Sequence, residues 1–79
     1  MYFAIKDVKS LPDFKLYLHF KNGEEKIFDM KPYLDIGIFK ELKNESIFNS
    51  VRVSFDSIEW SNEADFDPAV LYKNSVSIK

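Results

Sequence analysis

An α+β fold of β-β-β-α-β-β-α order is predicted by three features of the sequence. Residues 15–20 alternate apolar and polar with a period of two, Asn22-Gly23 separates that run from a second one, and Asp67-Pro68 opens the last apolar stretch as a helix start. A small mixed sheet or partly open barrel, with short helices on one side, satisfies this order. With 79 residues the chain has room for one core, so a single domain over residues 1–79 is expected.

The first strand is expected over residues 2–8, where Phe3 and Ile5 lie two apart, and Ser10-Leu11-Pro12-Asp13 reads as the turn that ends it. In the second strand Leu16, Leu18 and Phe20 share one face, with Lys15, Tyr17 and His19 on the other. Loop length sets the register to the third strand. A two-residue loop at Asn22-Gly23 would set Phe20 against Glu25 and Leu16 against Asp29. A three-residue loop of Lys21, Asn22 and a left-handed Gly23 pairs Leu16 with Phe28, and this bulged hairpin is the expected one. It places Lys26 opposite Leu18, which requires the lysine stem to lie along the apolar face with its ammonium in water.

After a turn-rich connection containing Pro32 and Asp35-Ile36-Gly37, the spacing of Ile38, Phe39 and Leu42 predicts a short helix ending near Asn44. Ser46 is expected to cap a further turn carrying Phe48. Val51, Val53 and Phe55 alternate as a fourth strand, joined by a tight turn around Asp56 and Ser57 to a fifth that carries Ile58 and Trp60. Asp67 caps and Pro68 begins a final helix through Leu71 and Tyr72. Residues 73–79, with Val76 and Ile78 at strand spacing, form either a flexible tail or an added edge strand. The expected core is Leu16, Leu18, Phe20, Phe39, Leu42, Val51, Val53, Ile58, Trp60 and Leu71.

Composition narrows the chemistry. The chain has no cysteine, one histidine and two glycines, which argues against thiolate catalysis, a zinc site and a phosphate-binding glycine loop. His19 would have to serve alone as base for any nucleophile, and it reads as a solvated residue on an outward strand face opposite Glu25. No catalytic, cofactor-binding or metal-binding residue is assigned. The start of the chain, with Lys6, Asp7 and Lys9 among its apolar residues, does not read as an export signal, and no apolar run approaches membrane-spanning length. A reducing cytoplasm is the expected location.

One segment is unusual in charge. Asp56, Glu59, Glu63, Asp65 and Asp67 occur with no lysine or arginine between Arg52 and Lys73. Helix capping and a solvated acidic face account for such a run without any function. The functional alternatives are a docking surface for a basic partner, formed by Glu59, Trp60, Glu63, Asp65, Asp67 and Tyr72, or a weak calcium site, which lacks the glycine and distant glutamate of an EF-hand loop. Lys6, Lys9, Lys15, Lys21, Lys26 and Lys31 lie in the first half, where Tyr2 and Tyr17 could stack bases between them. Five acids in the same segment and a formal net charge of −2 make nucleic acid the less favoured partner.

Taken together, Asn22-Gly23-Glu24, Phe28-Asp29, Tyr33-Leu34, Phe39-Lys40-Glu41-Leu42, Phe48-Asn49-Ser50-Val51 and, above all, Trp60 followed by Asp67-Pro68 and Leu71-Tyr72 resemble small bacterial proteins of the domain-of-unknown-function family 2442. The resemblance runs along nearly the whole chain. It implies a compact α+β, pseudo-barrel-like fold and supplies no catalytic residue, cofactor or substrate. Glycine is common in that family where this chain has Glu63, so a different turn is expected after Trp60. Such proteins are compared with toxin–antitoxin components, which implies a protein partner. The function expected is therefore a non-catalytic protein–protein interaction module, which the resemblance implies to be an antitoxin-like operon partner, with a nucleic-acid-binding accessory role as the alternative. Open strand edges also allow a homodimer.

Overall fold

In the computed structural model the described residues are 3–78; Tyr2, at the start of the first predicted strand, and Lys79, at the end of the tail, lie outside them, as does Met1. The fold is α+β. Its strands divide into two antiparallel sheets that do not close into a barrel. Strands β1 (Ile5–Leu11), β2 (Lys15–Phe20), β3 (Glu25–Asp29) and the late β7 (Val76–Ser77) form one sheet in the order β1-β2-β3-β7. Strands β4 (Arg52–Ser54), β5 (Ser57–Glu59) and β6 (Asp65–Phe66) form the other, in the order β4-β5-β6.

The β2–β3 register is the bulged one: Leu16 faces Phe28, Leu18 faces Lys26 and His19 faces Glu25. Gly23 sits in the left-handed region at φ 92° and donates its N–H to the Phe20 carbonyl at 3.0 Å. Lys26 differs from expectation in where its charge goes. Its ammonium donates to the Tyr72 carbonyl at 2.9 Å and lies 4.0 Å from the centre of the Tyr72 ring. That carbonyl belongs to the last turn of a helix, where a cation is favoured, and the ring face adds to the attraction.

Several boundaries move for local reasons. The first strand runs on to Leu11, and the turn falls on a single 3-10 turn at Pro12–Phe14 with Asp13 and Phe14 both at positive φ. Lys31 pins this turn through Asp13 at 2.6 Å. The predicted middle helix is a 3-10 helix, Gly37–Lys43. Three residues per turn keep Phe39 and Leu42 on one edge and rotate Ile38 outward, leaving it 46% exposed. The helical turn after it, α1 (Glu45–Phe48), is capped by Asn44 and not by Ser46: the Asn44 side-chain oxygen accepts from the Ser46 and Ile47 amides at 2.9 and 3.4 Å. Helix α2 (Pro68–Asn74) starts with Asp67 accepting from the Ala69 amide at 2.9 Å and with Pro68 in its first turn. The tail then adds Val76–Ser77 to the edge of β3.

The inner faces of both sheets meet in one cluster that joins Leu16, Leu18, Phe20 and Phe28 to Leu42, Phe48, Ile58, Trp60 and Leu71. Burial of this apolar area is the main force holding the sheets together, at roughly 25 cal/mol per Å². Phe39 and Val51 pack on its margin, whereas Val53, expected in the core, is 38% exposed because β4 is a three-residue edge strand. No helix among the described residues is long and apolar enough to cross a membrane.

Candidate functional site

The six residues expected to form one docking surface separate into four groups. Trp60 does not belong to any surface: it is 0% exposed, and its indole N–H donates to the Phe48 carbonyl at 3.1 Å. A large apolar ring with one satisfied polar atom is better placed in the core than in water, which is why it is buried here. Tyr72, on α2, is half-buried against the β2–β3 hairpin. Its ring stacks on Phe3 at 4.3 Å and meets Phe20 edge-on, and its hydroxyl donates to Glu24 at 2.5 Å. That hydrogen bond raises the Tyr72 pKa and, with the one from Asn22, holds the Glu24 carboxyl below the usual range.

Glu59, Asp65 and Asp67 do come together. They line one open groove of about 470 Å³ with Phe55, Phe66 and Pro68. Antiparallel pairing in the small sheet places Asp65 directly across from Glu59, a like-charge arrangement that is unfavourable by itself. Arg52, opposite Glu59 on the other side, forms a 3.1 Å ion pair with it. Asp65 forms no ion pair among the described residues. Glu63 lies in the turn that precedes β6 and does not line the groove. The remaining acid of the run, Asp56, is held by Lys21 at 3.0 Å.

Sequence reasoning missed Phe55. It was expected to alternate into the fourth strand, but Ser54 pairs with Ser57, so Phe55 and Asp56 form the two-residue turn. Both have positive φ, 50° and 65°, the conformation of a type I′ hairpin turn that usually carries Asn-Gly. Phe55 is 100% exposed at its tip. The turn is clamped from behind: the Ile5 amide donates to the Asp56 carbonyl at 2.8 Å, and Lys21 holds the Asp56 carboxylate. A signal for this was present, since pairing Val53 with Ile58 leaves only Phe55-Asp56 for the loop.

In the turn after Trp60, Glu63 takes the left-handed conformation at φ 70°. The Trp60 amide donates to the Ala64 carbonyl at 2.9 Å, and the Glu63 amide to the Trp60 carbonyl at 3.0 Å. Among the described residues no three histidines or carboxylates approach closely enough to hold a metal ion.

Two small antiparallel sheets around a shared core, with an acidic groove and a rigidly held aromatic on the surface, define a class of compact α+β protein. The chain belongs to the family of proteins of unknown function DUF2442, whose pattern matches residues 5–77. No curated protein and no solved structure matches it.

Proposed function

We propose that this protein is a non-catalytic protein–protein interaction module, a single domain acting in the cytoplasm as the antitoxin-like partner of a second bacterial protein. The observation that carries the reading is Phe55. An aromatic residue in the left-handed region costs on the order of 1–2 kcal/mol relative to glycine. Here it is also fully in water, so nothing within the chain compensates it by burial. Exposed aromatic side chains on fixed backbone are the kind of anchor that dominates protein interfaces.

The rival reading, a nucleic-acid accessory protein, draws on Lys9 and Lys15 beside Tyr17 on the outer face of the four-stranded sheet. It is weaker because the same register puts Asp7, Glu25 and Asp29 on that face. The Tyr17 hydroxyl is also committed to Glu25 at 2.6 Å.

The test is affinity purification of the tagged protein from its host at two salt concentrations, with a nuclease-treated control. The expected result is a stoichiometric protein that survives nuclease. Recovery of nothing specific would sink the module reading, and recovery abolished by nuclease or salt would move the nucleic-acid reading to first place.

A further inference from the structure

Resting on that reading, we infer that the groove beside Phe55 receives a basic, apolar-stemmed segment of the partner protein. An arginine or lysine stem lies against Phe55 and Pro68, and its cationic head meets Asp65. The lining has the two chemistries such a side chain carries. Phe55, Phe66 and Pro68 supply apolar surface, while Glu59, Asp65 and Asp67 supply carboxylates, and no lysine or arginine among the described residues lines the groove.

The carboxylates are not equivalent. Asp67 uses one oxygen on the Ala69 amide, and Glu59 is engaged by Arg52. Asp65 faces Glu59 across the strands with no ion pair of its own among the described residues, so an incoming cation removes a like-charge repulsion as well as gaining an attraction. Nucleic acid is disfavoured at this face because phosphates would meet three carboxylates. A bare metal ion is disfavoured because no three histidines or carboxylates converge among the described residues. A long side chain with an apolar stem satisfies both halves of the lining.

The probe is a short capped peptide alternating arginine and leucine, titrated into the isotope-labelled full chain and followed by two-dimensional NMR. Its counterpart with glutamate in place of arginine is the control. The arginine peptide is expected to shift the amides of Phe55, Glu59, Asp65, Phe66 and Asp67, and the acidic peptide to leave them unmoved. Asp65→Asn and Phe55→Asn are each expected to weaken binding by about tenfold. Phe55→Asn relieves the left-handed strain, so its urea midpoint should rise while its binding falls, which separates lost docking from lost folding.

Shifts scattered over all acidic regions, or affinities unchanged in both variants, would overturn the assignment. A host partner whose binding ignores both substitutions overturns the groove and leaves the module reading intact. The peptide seated on the groove with no partner recovered from the host supports the groove and counts against the module reading.

Discussion

The loops at residues 21–23 and 61–63 share one hydrogen-bond frame but not one chemistry. In each, a buried aromatic donates its amide to the residue four positions on, Phe20 to Glu24 and Trp60 to Ala64, both at 2.9 Å. In each, the third loop residue donates back to that aromatic's carbonyl at 3.0 Å, and an asparagine side chain accepts from the residue after the loop. The left-handed position is glycine in the first loop, at φ 92°, and glutamate in the second, at φ 70°. The first turn is thus favoured by its own residues. The second is imposed by its surroundings: Trp60 is locked in the core, and Asn62 donates to Glu41 at 3.0 Å. A turn geometry can persist without its preferred residue when tertiary contacts over-determine it.

The most severe way to break this comparison is to remove the anchor of the second loop. Trp60→Ala deletes a fully buried ring and leaves the Phe48 carbonyl with only the Val51 amide at 3.4 Å as donor, so a loss of about 3–5 kcal/mol is expected from urea unfolding. A loss below about 1 kcal/mol would mean that the second sheet does not depend on the core.

The left-handed positions should respond with opposite signs. A Cβ at Gly23 meets no neighbouring atom within 4 Å, so the cost of Gly23→Ala is conformational alone, about 1–2 kcal/mol. Glu63→Gly should stabilise by about 1 kcal/mol, because the strain it removes exceeds the added freedom of the unfolded chain. Equal and small effects at both sites, read from the same unfolding curves, would show that the two loops are not held differently.

The smallest effect is in pH dependence, where the two loops differ because Ala64 stands at the position of Glu24 in the first. The folded pKa of Glu24 is depressed by the Tyr72 and Asn22 hydrogen bonds, so its contribution is present above the unfolded value near 4.5 and is lost as pH falls through the lower folded one. Tyr72→Phe should flatten part of that acid limb; the rest comes from Asp13 and Asp35, held low by Lys31 and Lys43. On the alkaline side, Tyr17 is pushed up to about 12 by its hydrogen bond to Glu25. Its contribution is complete below pH 10.0 and lost as pH rises through about 12, and Tyr17→Phe should remove that part of the alkaline limb, leaving the parts from Tyr72 and Lys31, which are also raised. Unfolding midpoints across both pH ranges measure these slopes.

Much of the fold was legible where a residue's own preference selects the backbone. Alternation in residues 15–20, the three-residue loop ending at Gly23 and the Asp67-Pro68 helix start all appear in the structure as read, since period, left-handed freedom and capping are local properties. The strand partition was not legible. Whether β4, β5 and β6 join the first sheet or stack against it depends on which faces of distant segments meet in the core, and no local spacing encodes that.

The candidate site divides in the same way. That an acidic run lies between Arg52 and Lys73 is a property of the sequence alone. That Glu59, Asp65 and Asp67 line one groove, that Glu63 does not, and that Trp60 faces inward are products of strand pairing and core packing. Phe55 carries the contrast furthest. Its apolar side chain suited it to a strand, but pairing Ser54 with Ser57 left it in the turn, and bonds from Ile5 and Lys21 to Asp56 hold that turn in a conformation a phenylalanine would not adopt unaided. Sequence determined the repeating preferences of neighbouring residues; tertiary structure decided which preferences were overruled, because long-range burial and pairing outweigh the one or two kcal/mol, roughly, that a local conformation can cost.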